Sequence, residues 1–418
     1  MNVLVIGSGG REHAICHSLA RSPRLGKLFI LPGNAGTESL GTNVPGDPSD
    51  IDLALSVARR EDVGLTIVGP EDPLAAGIAD AFHQAGLRVF GPVAAGARLE
   101  ADKAYAKQVM RQHAVPTAEA RIFDDYELAR EYLSTRDEGL VVKAAGLAKG
   151  KGAIICNDPS EATVAAERML RQRVFGDAGA KIVIEERLEG REVSLMAIVD
   201  GRTLLLLEPA QDHKRLLDDD QGPNTGGMGA FSPTATIDDD TRRLIETQVF
   251  VPTIDALVRQ NIHFCGVLYA GLMLTAGGPK VLEFNCRFGD PETQVQLPRL
   301  KTDLLDIFDA AVDRRLDQIE AEWDSRHALC VVMASGGYPE EYQTGVPITG
   351  LPDDANRDDL AVFHAGTKRE DSATVTSGGR VLGVTALGDT LADARRLAYE
   401  TTEQIHFENA FYRRDLGL

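Results

Sequence analysis

The first hundred residues carry the apolar runs NVLVIG, LFIL, LTIVGP and RVFGP, separated by helix-like stretches at 12–20, 52–59 and 75–85. Apolar runs without polar alternation are strands covered on both faces. Helices between such strands serve as crossover connections, which join parallel neighbours. Residues 1–100 therefore read as an α/β domain built on a parallel sheet. At 418 residues the chain has material for roughly two to four compact units.

Beyond that domain the pattern changes. A helix is expected over 102–113, and then LVVKAA, a glycine-rich loop, AIIC, a helix over 160–171 and KIVIEERL follow in turn. Strand, loop, strand, helix, strand describes a small α+β unit resembling a lid. EVSLMAIVDGRTLLLLEPA reads as a hairpin turning at Asp200–Gly201, helix 241–259 follows, and VLYAGLML and KVLEFN supply two more strands. From about His327 a last α+β unit holds ALCVVMAS, an expected hairpin turning at Gly378–Gly379, and a helix starting near Thr390. The fold class is thus α/β and α+β, multidomain.

Composition narrows the function. A net charge of −19 disfavours a general nucleic-acid surface, which needs a basic stripe. The runs Asp218–Asp220 and Asp238–Asp240 read as exposed, solvated loops rather than metal sites. Five scattered cysteines (16, 156, 265, 286 and 330) have neither zinc nor disulfide spacing and read as buried free thiols. No run reaches transmembrane length, and the N-terminus lacks the features of a signal peptide, so cytoplasmic residence is the expectation.

The sharpest chemical signal is KVLEFNCRFGDPE (280–292). Side chains two apart on a strand share a face, so Glu283 and Asn285 project together while Leu282 and Phe284 turn to the core. Two hard oxygen donors of this kind suit magnesium, which takes its other ligands from water and substrate phosphates. Arg287, next on the same alternation, is placed to neutralise a phosphate or carboxylate. A second signal is Lys143 followed by Gly146, Gly150 and Gly152 with Lys149 and Lys151 between them. Glycines let backbone N–H groups approach phosphate oxygens while lysines supply charge, although this is not a Walker A loop. In QDHKR and GPNTGGMG, Asp212 and Lys214 are placed to hold an amine and an acid beside a glycine-rich segment. Glu185, Glu186, Glu189 and Glu192, taken alone, read as solvent-facing. GSGGREH (7–13) sits at a strand-to-helix turn, but Glu12 stands where a dinucleotide fingerprint needs its third glycine. An empty turn and an anion site with Arg11 beside it both stay open there.

Together GSGGREH, KAAGLAKGKG, GPNTGGMG and EFNCRFGDPETQ resemble the phosphoribosylamine–glycine ligases of the ATP-grasp superfamily, and the resemblance runs through VFHAGTK and GGRVLGVTALG near the C-terminus. It implies an N-terminal domain (1–100), an ATP-grasp domain (101–325) with a mobile lid at about 115–190, and a C-terminal domain (326–418). The implied activity joins glycine to 5-phosphoribosylamine with ATP, through glycyl phosphate, giving glycinamide ribonucleotide, ADP and phosphate in purine biosynthesis. By the same resemblance Lys103 and Lys143 contact phosphate, the Gly146–Gly152 loop with Gly150 and Lys151 closes over it, Glu185, Glu186 and Leu188 frame adenine, and Glu192 binds ribose. Glu283 and Asn285 hold Mg2+ or Mn2+. Gly9, Gly10, Asp212, Lys214, Gly226, Gly227 and Arg287 build the sugar-phosphate and glycine sites, with Arg287, Lys143, Asp212 and Lys214 closest to the chemistry. Two residues depart from the family's usual loop: Ala145, where an aspartate is common, and Lys149, where a small residue is. The preceding strand, VLYAGLML, offers no second acidic metal ligand.

The partners implied are small molecules, with no nucleic acid or membrane and a monomer as the default. The rival enzyme is another ATP-grasp purine-pathway ligase or carboxylase; a non-catalytic nucleotide-binding module is the rival of a different class. The broken fingerprint at Glu12 disfavours an NAD-dependent dehydrogenase.

Overall fold

The computed structural model describes residues 1–148, 151–353 and 357–418; Lys149 and Gly150 lie outside the described residues. The N-terminal sheet is parallel, with Asn2–Gly7 at its centre, flanked by Leu28–Pro32 and Val63–Val68 and edged by Thr42–Asn43 and Val89–Phe90. Alternation along the central strand feeds two cores, Val3 and Val5 on one face and Leu4 and Ile6 on the other. The first face is shared with Met196, Ile198, Leu304 and Phe308, so the domain is cemented onto the central sheet by apolar burial. The helix expected over 75–85 is instead two, Glu71–Ala75 and Ile78–Gln84, parted at Gly77, whose φ of +89° breaks the helix.

The central antiparallel sheet runs Leu204–Leu206, Arg191–Asp200, Cys265–Thr275 and Gly278–Asn285. A second antiparallel sheet, Ala120–Phe123, Ile182–Glu186, Leu140–Ala144 and Ala153–Cys156, is backed by helices Tyr126–Leu133 and Pro159–Leu170. The third antiparallel sheet mixes distant segments. Gln211–Asp212 and Gly229–Ser232, read above as part of the central unit, pair onto His327–Ala334, which continues through Arg380–Gly388 to Leu360–His364. The substrate-loop candidates 211–229 are thereby anchored in the C-terminal sheet.

The hairpin expected at Gly378–Gly379 does not form. Ala373–Thr376 pairs with Thr367–Glu370, while Arg380–Gly388 lies between two other strands. Gly378 serves a crossing: a Cβ on it would stand 3.0 Å from Gly366 Cα. The Asp218–Asp220 run is exposed, yet it is docked rather than merely solvated. Arg413 bonds Asp220 at 2.8 Å, and the Arg414 amide donates to Asp218 at 2.7 Å. Asp238 caps the helix Asp239–Ile245. All five cysteines are buried and free. Among the described residues, no helix is long and apolar enough to cross a membrane.

Candidate active site

A cavity of about 410 Å3 opens where the small four-stranded sheet, the central sheet and the 211–229 segment meet. Lys103, Lys143, Gly152, Glu185, Glu186, Leu188, Glu192, Asp212, Lys214, Gly226, Glu283, Asn285 and Arg287 all line it. These residues come from segments spread over nearly two hundred positions.

Glu283 and Asn285 both face the cavity, as the alternation requires. Leu282 does too, which corrects its expected burial. The register steps from Gly271 opposite Glu283 to Leu272 opposite Val281, leaving Leu282 as an extra residue that bulges outward. Its carbonyl accepts a 2.9 Å hydrogen bond from Lys143 Nζ. Burial opposes the charge on Glu283, but Lys214, Lys103, Lys143 and Arg287 outweigh it and hold the carboxyl below its ordinary value. No ion pair engages Glu283 directly among the described residues. An ionised carboxylate beside an amide oxygen, both open to the cavity, fits a hard divalent cation. No cluster of three or more His, Cys, Asp or Glu suited to a metal occurs among the described residues, so these two donors require substrate oxygens or water to complete a shell.

The carboxylates read above as solvent-facing divide. Glu185 is 2% exposed and sits between Lys143 Nζ, 2.9 Å from its Oε2, and Lys107 Nζ, 3.2 Å from its Oε1. Glu186 pairs with Lys280 at 2.9 Å and receives the Glu119 amide. Glu192 faces Lys214 at 3.5 Å. Burial depresses Lys107 to about 8, Glu185 opposing that drop and the neighbouring Lys143 adding to it.

Strand geometry ends at Asn285, and Arg287 lies just beyond it. Its guanidinium reaches Glu71 at 3.3 Å, Glu100 at 3.1 Å and Asn285 Oδ1 at 3.3 Å. Glu71 is pulled down to about 2: burial opposes this, and Arg287 and Arg11 overcome it. Burial pushes the Asp212 carboxyl well up, reinforced by Glu292, and its Oδ1 has no hydrogen-bond partner. Lys214 is held charged: burial works against it, while Tyr269, Glu192, Glu283 and Asp212 prevail.

Other expected residues lie outside the lining. Gly146 packs on Ala178, where a Cβ would come within 2.7 Å of Cα, and its carbonyl accepts from Lys103 Nζ. Lys151 Nζ donates to the Pro339 carbonyl of the C-terminal unit at 2.7 Å. Gly227, with φ +111°, passes between Pro291 and Asp212. Gly9 and Gly10 form the N-terminal turn; the Gly9 amide donates to Glu12 Oε2 at 2.6 Å, and a Cβ on Gly69 would meet Glu12 Oε1 at 2.1 Å. The Glu12 side chain thus fills the turn that a dinucleotide pyrophosphate would enter.

Several lining or supporting residues are not reached by sequence reasoning. Glu71, Glu100, Tyr269, Asp290 and Glu292 line the cavity, and Arg380 holds the carbonyls of Gly226 and Asp290. Asp290 and Glu292 stand in the GDPE tail of the 280–292 motif and Lys107 lies one helical turn from Lys103 on the same face, whereas Glu71, Glu100, Tyr269 and Arg380 left no local signal.

Three family models match in register along the chain: the phosphoribosylglycinamide synthetase N domain over 1–100, its ATP-grasp (A) domain over 101–293 and its C domain over 328–418. The chain belongs to the phosphoribosylglycinamide synthetase family. Its members include the phosphoribosylamine–glycine ligases of Rhodopirellula baltica and Escherichia coli K12. Each is 48% identical over all of this chain, covering 97% and 98% of the respective relative. The crystal structure of the Thermotoga maritima phosphoribosylamine–glycine ligase superposes with a TM-score of 0.87 at 36% identity, covering 99% of this chain and 100% of that one. A biotin carboxylase from Campylobacter jejuni shares the fold alone, with a TM-score of 0.75 at 13% identity over 98% of this chain and 92% of that one. Family membership makes the chain an ATP-dependent ligase of purine biosynthesis, with an ATP-grasp fold that works with ATP and divalent metal.

Proposed function

We propose that the chain joins glycine to 5-phosphoribosylamine at the expense of ATP, passing through glycyl phosphate and releasing ADP and phosphate. The observation that carries this reading is the meeting of Glu283, Asn285, Lys143 and Lys103 with Asp212, Lys214 and Gly226 in one cavity. A nucleotide seat and an amino-acid seat there share a wall.

A carboxylate resists attack by an amine because oxide is a poor leaving group. Transfer of the γ-phosphoryl group to the glycine carboxylate makes phosphate the leaving group, and the amine of phosphoribosylamine then attacks the carbonyl. Lys143 and Lys103 neutralise phosphate charge, Glu185, Glu186 and Leu188 frame the adenine, and Glu192 takes the ribose. Glu283 and Asn285 would hold Mg2+ or Mn2+, which when bound would supply further charge neutralisation at the phosphates. Gly146, Lys151 and Gly152 belong to the loop on the phosphate side; Lys214 and Arg287 meet the substrate carboxylate, and Gly9, Gly10 and Gly227 shape the sugar-phosphate side. Positioning and exclusion of water from the acyl phosphate account for most of the acceleration.

The reading divides the chain into an N-terminal domain (1–100), an ATP-grasp domain (101–325, lid about 115–190) and a C-terminal domain (326–418). The same reading takes the chain as a monomer acting in the cytoplasm on small molecules. The test is phosphate release with freshly made phosphoribosylamine. Release that requires glycine, and that bicarbonate or formate does not replace, supports the reading; release with bicarbonate or formate instead assigns the chain to a different ATP-grasp reaction.

A further inference from the structure

A second cavity, of about 520 Å3, is lined by the helix Lys103–Gln112 and the segment 114–122 that follows it. Met110 and Val115, both buried, and the half-buried Ile122 give it apolar walls. Its charged lining is Lys107, Arg111, Arg121 and Glu119. Three cations to one carboxylate reverses the balance of a chain with a net charge of −19. Arg111 and Arg121 are exposed and make no ion pair among the described residues; Glu119, on the same lining, pairs with neither. Lys103, Lys107 and Arg111 follow one another at four-residue spacing along one helix face, where like charges repel. The helix C-terminus makes Arg111 tolerable, but Arg121 stands on a different element, the strand Ala120–Phe123. Unpaired charges of one sign converging on a partly apolar cavity suit an anion with an apolar body.

Lys107 connects this cavity to the first. It is 6% exposed, donates to Thr117 Oγ1 at 2.6 Å and lies 3.2 Å from Glu185 Oε1. An ammonium has three N–H groups, so one remains for a ligand. Glu185 lines the nucleotide-side cavity, with its other oxygen 2.9 Å from Lys143 Nζ. The Lys107–Glu185 ion pair thus bridges the walls of the two cavities. We propose that the second cavity is a regulatory site for a phosphate monoester with a planar or apolar body, held by Arg111 and Arg121 and coupled through Lys107 and Glu185 to nucleotide binding. The guanidinium fork matches phosphate oxygens. Once Lys107 shares its charge with that ligand, Glu185 draws more on Lys143, which then has less attraction to offer the nucleotide phosphates. By reciprocity, bound nucleotide weakens the ligand by the same factor.

The test is calorimetry on the intact chain with phenyl phosphate, a dianion on a planar ring. A Kd of on the order of 1 mM or tighter is expected, with inorganic phosphate at least roughly 10-fold weaker because it buries no ring. Arg111→Gln and Arg121→Gln should each weaken the probe roughly 10-fold and leave the Kd of ADP with magnesium as in the wild type. In the wild type, increasing phenyl phosphate should raise that Kd about 5-fold and then reach a plateau. A Kd that climbs without limit places the probe in the nucleotide cavity and overturns the proposal. No binding to the wild type, or unchanged binding in both arginine variants, overturns it equally. The coupling rests on the nucleotide seat proposed above. If Lys143→Met leaves ADP binding unaltered, that seat fails; if ADP weakens in Lys143→Met yet ignores the probe in the wild type, only the regulatory role fails.

Discussion

Lys143 and Glu185 form a buried ion pair, with Nζ 2.9 Å from Oε2. Lys107 completes a cluster that carries one net positive charge while Lys107 is protonated. Lys107 titrates near 8, so the cluster is cationic below that pH and neutral above it. Attraction for the nucleotide phosphates should weaken as pH rises through 8. The KM for ATP, followed from pH 7 to 9, is expected to climb by on the order of a few-fold. In Lys107→Met, which has no charge to lose, the profile should be flat.

Glu283→Gln keeps the shape of the strand and removes the charge that Lys214, Lys103 and Lys143 hold in place. Phosphate release should fall by at least roughly 100-fold, while nucleotide binding measured by calorimetry persists. Near-normal turnover at ordinary magnesium concentration would sink the metal assignment.

Arg287 is 17% exposed in its side chain and Glu100 8%, so their pairing is shielded from water. Arg287→Met leaves Glu100 buried without its cation, a loss of roughly 3–5 kcal/mol. Denaturant titration measures it. A variant as stable as the wild type would mean that Glu100 simply takes up a proton at little cost.

Arg413 is 1% exposed and bridges Asp415, Asp220 and the Arg215 carbonyl, tying the C-terminus to the ribbon at 215–224. Asp220 is itself exposed, so water replaces part of what is lost in Arg413→Ala, and a cost of about 1–3 kcal/mol is expected. Limited proteolysis should cut the 215–224 ribbon faster in the variant, with the KM for glycine raised and that for ATP unaffected.

How far the sequence reaches can be judged residue by residue. Alternation put Glu283 and Asn285 on one face, and both line the cavity, because a period of two is a local property of a strand. The same rule misplaced Leu282, since a bulge depends on the partner strand opposite it. Glu185 looked like a solvent-facing carboxylate in its own segment, and only Lys107 and Lys143, from two other elements, make its burial tolerable. Gly378 looked like a turn glycine; its close crossing with Gly366 depends on which strands become neighbours.

The sequence by itself determined the parallel N-terminal sheet, the shared face of Glu283 and Asn285, and the family. Apolar periodicity, glycine spacing and long motifs are written locally along the chain. Only the tertiary structure decided which charges meet. Arg287 finds Glu71 across 216 positions, and Glu185 is met by Lys107 and Lys143 from two other elements. Those relationships arise from the packing of distant segments against one another, and spacing along the chain carries no information about which side chains that packing brings together.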